Sequence, residues 1–260
     1  MASGTTWASS LLMSRSTFAS RPLPSDKASI TLNYMEDPQL ATSLPILTDD
    51  ELVELEEVGH AIHRSPGHPF FLEGEEGDFA LLIKKGHVKV MRGRPPRIID
   101  IRGPGDIVGE MAVIRRQPRM ASVMAFDDVD ALYLPGPKWL RFLYDHPRSM
   151  HALLAMTDDM ADRATMKNVE SELAIEQQLA KRVLELADFG LGEPDGSGAV
   201  ALRMSQQDLA ELIGAKKLDS VKKVIRQLKA AAIIDTGRQV IKLLKLDALH
   251  DIADGNLTVS

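Results

Sequence analysis

The residues best equipped for chemistry lie in one stretch, Gly105-Asp-Ile-Val-Gly-Glu-Met-Ala-Val-Ile-Arg-Arg-Gln-Pro-Arg-Met-Ala-Ser-Val123. Within it Gly109-Glu110-Met111-Ala112 is followed, ten residues after Gly109, by Arg119. Small residues in succession let backbone amides approach an anion, a guanidinium can meet a phosphate through two hydrogen bonds, and a carboxylate can accept from a sugar hydroxyl. Taken from the residues alone, Arg119 reads as a surface arginine.

A second set lies near the C-terminus. Ser205-Gln-Gln-Asp208 has the form of a capping box, in which hydroxyl and carboxylate satisfy each other's backbone amides at a helix start. Leu209, Ala210, Leu212 and Ile213 give that helix an apolar face, and Gly214 stops it. The segment from Asp219 to Lys229 predicts a second helix that buries Val221, Val224, Ile225 and Leu228 and turns Ser220, Lys222, Lys223 and Arg226 outward. Two helices joined at a glycine, the second with a basic face, form a helix-turn-helix; an ordinary αα-hairpin is the plain alternative. Two apolar strands around Thr236-Gly-Arg-Gln239 add a hairpin, hence a wing carrying Arg238. Ser220, Lys222 or Lys223 would reach base edges in a major groove, while Ser205, Lys216, Lys217, Asp219, Arg226 and Arg238 surround them as further contacts to double-stranded DNA.

His60, His63 and His68 are close in sequence, and the first two could share a helical face, but no acidic or sulfur partner completes a metal-binding spacing. No nucleophile, base and orienting acid stand at a recognisable spacing, so an enzyme is not expected.

These residues need elements to hold them. Thr48-Asp-Asp-Glu51 begins a short helix with Leu52, Leu55 and Val58 on one face. After His68-Pro69 the apolar period becomes two: 79–83, 87–91, 97–101, 121–125 and 132–134 are short strands separated by glycine turns, which predicts a jelly-roll-like antiparallel β-barrel over 46–136. Helical spacing takes over from Lys138, with Met150, Leu153, Thr157, Met160 and Ala164 forming a seam. Such a seam packs on the protein's own core or on a second copy. The expected organisation is thus α+β: a tail over 1–45, the barrel, a long dimerisation helix over 137–173, and a winged helix-turn-helix over 174–250.

The chain has 260 residues and no cysteine, which excludes disulfides, thiolate metal sites and thiol nucleophiles. Its 44% hydrophobic and 26% charged residues are those of a soluble globular protein, and no apolar run could span a bilayer, so a cytoplasmic protein with no membrane partner is expected. The net charge is −6, yet 199–246 holds ten basic and four acidic residues, +6 locally against −12 elsewhere. A cationic C-terminal block on an acidic body suits a polyanionic partner, although a solvated basic face has the same composition. The Ser-rich start, free of acid before Asp26, is weakly like a transit peptide and more like a disordered tail; Met13 or Met35 could be the true start.

The barrel, the Gly-Glu-Met-Ala…Pro-Arg-x-Ala segment, the long helix and the winged helix-turn-helix, in that order over 45–246, resemble the CRP/FNR family of bacterial transcription regulators. The resemblance implies a homodimer with no prosthetic group, an effector cyclic nucleotide (cAMP or cGMP) and RNA polymerase as a further partner. It implies that Glu110 takes the ribose 2′-hydroxyl, that Arg119 takes the cyclic phosphate, and that amides near Gly109, Met111, Ala112 and Met120 complete the cradle. Thr165 and Asn168 are the polar candidates for the base on the long helix. Three departures stand out: Met120 replaces a common hydroxyl residue, the long helix looks about one turn short, and the turn over 215–219 is one residue longer than usual. A degenerate barrel with constitutive DNA binding, or a C-terminal domain that docks a protein, are the alternatives.

Overall fold

The computed structural model describes residues 46–170, 172–196, 198–215 and 218–259, apart from the side chains of 162–164 and 167–169. The expected tail over 1–45 and Lys216 and Lys217 lie outside these residues.

The first element is helix α1 (Asp49–Val58), and it starts by the expected capping box: Thr48 Oγ1 accepts from the Glu51 amide, and Glu51 accepts from the Thr48 amide at 2.7 Å. Eight strands follow: β1 (His60–Arg64), β2 (Pro69–Phe71), β3 (Phe79–Lys85), β4 (Val88–Arg92), β5 (Arg97–Arg102), β6 (Ile107–Val108), β7 (Ser122–Ala125) and β8 (Val129–Pro135). They form two antiparallel four-stranded sheets, ordered β1-β8-β3-β6 and β2-β7-β4-β5, in a jelly-roll-like arrangement rather than one ladder closed on itself. Leu81 and Ile83 of β3 meet Val88, Val123 and Ala125 between the sheets, whereas Ala80 and Leu82 face helices on the other side. Burial on both faces explains why β3 reads as a continuous apolar run rather than an alternating one.

Strands β1, β2 and β6 are not among the expected strands. β1 is exposed at four of its five residues, so it carries no apolar alternation, and its pairing with β8 supplies the order. His60 and His63 therefore share a strand and not a helical face: His60 stacks on Tyr133 and His63 bonds to Asp130 at 2.9 Å.

Helix α2 (Glu110–Arg115) interrupts the strands. The expected long helix from Lys138 is two helices, α3 (Gly136–Asp145) and α4 (Pro147–Glu170). Pro147 lacks an amide and displaces the residue before it from helical geometry, and His146 takes φ −122° and ψ 78° accordingly. Trp139, Phe142, Leu143 and Leu153 pack with Leu55, Leu132 and Leu134, so the early part of the expected seam covers the chain's own core. Leu154 and Met166 on α4 remain exposed.

The C-terminal half comprises α5 (Ile175–Leu186), β9 (Gly192–Pro194), β10 (Val200–Leu202), α6 (Gln206–Leu212), α7 (Leu218–Ala230), β11 (Ile234–Gly237), β12 (Val240–Leu243) and α8 (Leu246–Ala253). Leu179, Val183, Leu209, Val221, Ile225, Leu228 and Ile241 form its core, and Ile98 and Ile101 of β5 belong to the same cluster. The β4–β5 hairpin is thus packed into the helix-turn-helix half.

Candidate functional site

Arg119 is the least expected feature of the barrel, because it is 2% exposed instead of lying on the surface. Its backbone is bonded into the loop ahead of β3, donating to Glu75 O at 2.9 Å and accepting from the Gly74 amide at 2.8 Å. Nη1 donates to Gly109 O at 2.7 Å and Nη2 to Phe79 O at 2.9 Å. The rings of Phe71 and Phe79 each lie 4.2 Å from Cζ, an arrangement in which the cation faces two π systems. Two glycines make room for it. A Cβ on Gly77 would come within 2.7 Å of Nη2, and one on Gly109, whose φ is +80°, within 2.5 Å of Nη1. The two bonds use only part of a guanidinium's five N–H donors, and Nε is buried without a partner.

Gly109 precedes α2, and Glu110 opens it at 6% exposure. Burial pushes the Glu110 carboxyl above its ordinary value, against the opposing pull of the Glu110 and Met111 amides and of the Arg102 and Arg119 charges. Burial likewise draws the Arg119 guanidinium down, opposed chiefly by Glu110. A hydroxyl donor reaching Glu110 and an anion reaching Arg119 would each restore the stabilisation that burial removes.

Gly109, Glu110, Met111, Ala112, Arg119 and Met120 all line one cavity of about 660 Å³. Met120 is 42% exposed, and its sulfur accepts from Arg115 at 3.5 Å. Thr165 is absent from the cavity wall; its hydroxyl donates to Ala161 O on its own helix. The Asn168 side chain lies outside the described residues. Among the described residues of α4, Met160 and Glu170 reach the cavity, and Gln178, Arg182 and Glu211–Gly214 line it from the C-terminal half. Sequence reading misses Phe71, Gly77, Phe79 and Arg182. Gly77 and Phe79 stand there only as a turn and a strand start, and Phe71 in no expected element, because their role depends on where Arg119 folds.

In the C-terminal half α6 starts by the expected capping box: Ser205 Oγ accepts from the Asp208 amide at 3.0 Å and Asp208 accepts from the Ser205 amide at 3.1 Å. The Ser205 hydroxyl is thereby occupied within the helix cap. On α7, Val221, Val224, Ile225 and Leu228 are buried; Asp219, Lys222, Lys223 and Arg226 are exposed, and Ser220 is half-buried. Arg238 is exposed at the turn between β11 and β12. Other cations of the basic block are paired: Arg203 with Glu193 at 3.0 Å, Lys229 with Asp235 at 2.7 Å and Lys242 with Asp195 at 3.0 Å. Among the described residues of that block, the cations left without an ion pair are Lys222, Lys223 and Arg226 on α7, Arg238 at the wing tip and Lys245 ahead of α8.

The two halves are joined by charge as well as by Ile98 and Ile101. Lys89 of β4 donates to Asp208 at 2.6 Å, with its ammonium 4.6 Å from the Phe126 ring centre. Burial pushes the Asp208 carboxyl up, but the bonds from Lys89 and Ser205 outweigh it and hold it below its ordinary value.

Comparison with known proteins gives the same two parts. A cyclic nucleotide-binding domain family matches residues 62–146, and a Crp-like helix-turn-helix domain family matches 177–252. The chain is 30% identical over 165 residues to a CRP-like cAMP-activated global transcriptional regulator of Mycobacterium tuberculosis, covering 61% of this chain and 72% of that protein. It is 26% identical over 196 residues to the cyclic AMP receptor protein of Thermus thermophilus, covering 73% and 86%. A solved CRP/FNR family regulator from Thermus thermophilus shares the fold, with a TM-score of 0.61, 24% identity and coverage of 75% of this chain and 98% of that one. The cradle around Arg119 and the basic helix behind it thus stand in a chain that belongs to the CRP/FNR family of transcriptional regulators.

Proposed function

We propose that this regulator is a cytoplasmic homodimer, with no enzymatic activity of its own, that binds double-stranded DNA in response to a cyclic mononucleotide, cAMP or cGMP, held in the barrel cavity. The observation that carries the reading is the buried Arg119, with its unpartnered Nε, its two phenylalanine rings and the two glycines a Cβ would crowd. In this reading Arg119 takes the phosphate and Glu110 accepts the ribose 2′-hydroxyl. The amides near Met111, Ala112 and Met120 complete the cradle. Exposed Leu154 and Met166 offer α4 apolar surface for a second copy.

The cavity wall is shared by the barrel and the helix-turn-helix half, so a ligand that fills it contacts both. Such a ligand stabilises one arrangement of the β4–β5 hairpin against α6 over others, and the population of DNA-competent dimers shifts by its differential affinity for them. Lys222 and Lys223 then enter the major groove, with Arg226 and Arg238 on phosphates and RNA polymerase recruited beside the dimer. Isothermal calorimetry with cAMP and cGMP tests the ligand assignment. Saturable heat with one of them, lost in Arg119→Leu, is expected; no heat with either, from protein that still binds DNA, refutes it.

A further inference from the structure

Three buried side-chain nitrogens among the described residues have no hydrogen-bond partner: Nε of Arg119, Nε1 of Trp139 and Nε of Arg182. Two of the three belong to arginines that line the same cavity. Arg119 comes from the barrel, Arg182 from α5 in the DNA-binding half. Among the described residues Arg182 has one side-chain tether, Nη1 donating to Glu185 at 2.5 Å, and its side chain is 14% exposed. A guanidinium buried with an idle N–H carries a cost that a suitable acceptor removes. Its neighbours on α5, Leu179 and Val183, are fully buried in the core that holds α6 and α7, so Arg182 stands on a rigid part of the helix-turn-helix scaffold.

Among the described residues five arginines line the cavity, Arg92, Arg97, Arg102, Arg119 and Arg182, and we infer that the two with a buried, unpartnered Nε grip the ligand: Arg182 holds the far end of the molecule whose phosphate Arg119 takes, and this far end presents paired acceptors. The inference rests on the cyclic-nucleotide reading above. The planar fork of an arginine matches two adjacent acceptors, as on the O6/N7 edge of guanine. Adenine offers N7 beside an amino donor, which the fork cannot satisfy twice. Arg182 therefore selects a guanine nucleotide over an adenine nucleotide, and it makes the DNA-binding half a direct holder of the ligand. A second phosphate, as in a cyclic dinucleotide, presents the same paired oxygens, and the test separates the two sources.

The test is calorimetry of the full-length protein with cGMP, cAMP and cyclic di-GMP, on wild type, Arg182→Gln and Arg182→Lys, with Arg119→Leu as the control for the phosphate cradle. The wild type should bind a guanine ligand at least tenfold tighter than cAMP. Arg182→Gln should lower that affinity by roughly 10- to 100-fold, the worth of one bidentate contact, and leave cAMP within about twofold. Arg182→Lys keeps the charge and the Glu185 ion pair but loses the fork. Affinity kept in Arg182→Lys and lost in Arg182→Gln identifies a phosphate as the second group; affinity lost in both identifies the base edge. A preference for cAMP, or guanine binding that is indifferent to both Arg182 variants, overturns the inference while leaving the proposed function standing. Absence of heat with all three nucleotides overturns the proposed function and this inference with it.

Discussion

Glu51 ties α1 to the start of α4, and replacing it by glutamine should destabilise the barrel in a pH-dependent way. Its carboxylate accepts from Arg148, from Ser149 Oγ at 2.8 Å and from the Thr48 amide at 2.7 Å, and the side chain is largely buried. Burial pushes the carboxyl up, yet the Arg148, Thr48 and Ser149 bonds outweigh it and hold it at about 2, against an ordinary value of 4.5. The folded value lies below the unfolded one, so the stabilisation is fully present above pH 4.5 and is lost as the pH falls toward 2. A depression of this size corresponds to about 3 kcal/mol at pH 7, falling to about 2 kcal/mol at pH 3.5. Trp139 is fully buried in the cluster that contains Leu55, and in a Trp7→Phe background its fluorescence reports unfolding of this region alone. With a urea m-value of about 3 kcal/mol/M, Glu51→Gln should lower the midpoint by ~1 M at pH 7 and by visibly less at pH 3.5. A shift under about 0.2 M at pH 7, or equal shifts at the two pH values, refutes the assigned ion pair.

Other perturbations reach the cavity and the DNA surface. Gly109→Ala places a Cβ beside Nη1 of Arg119 at a positive φ and should cost about 1–3 kcal/mol, read as a lower melting temperature together with loss of nucleotide binding. Glu110 has a raised folded-state carboxyl value, so the native state binds its proton more tightly and stability falls as the pH rises from 4.5 through that value. Melting temperatures should therefore fall as the pH rises above 4.5 in wild type by more than in Glu110→Gln, and parallel curves would contradict the burial argument. Lys222→Glu with Lys223→Glu should abolish duplex binding in a filter or anisotropy assay, and unchanged affinity would remove α7 from the groove. In wild type, log affinity should fall linearly with log salt, with a slope of about −0.9 for each phosphate neutralised.

Much of this architecture is legible in the sequence, for local reasons. Both capping boxes, at Thr48 and at Ser205, are fixed by residues three apart and appear as expected. The two helices of the helix-turn-helix follow from apolar spacing that tertiary packing confirms, since Val221, Val224, Ile225 and Leu228 are all buried. Elements whose order comes from partners are harder to see: β1 is held by β8, and the break at His146 depends on what Pro147 prevents. The same distinction divides the site. Glu110 and Arg119 stand in one recognisable segment, but the burial of Arg119 is made by Phe71, Gly77 and Phe79, forty or more residues upstream, and a charged side chain carries no local mark of such a setting. Arg182 is hidden for a stronger reason, because its place on the cavity wall depends on how one half packs on the other.

The coupling of that cavity to DNA binding is tested most directly by fluorescence anisotropy on a duplex that the liganded protein itself enriches from a random pool. Affinity is measured with saturating cyclic nucleotide and without it, for wild type and for Arg119→Leu. A coupling of about 1–3 kcal/mol should raise wild-type affinity roughly 5- to 150-fold with nucleotide and leave Arg119→Leu unresponsive. Equal wild-type affinity with and without nucleotide contradicts the account.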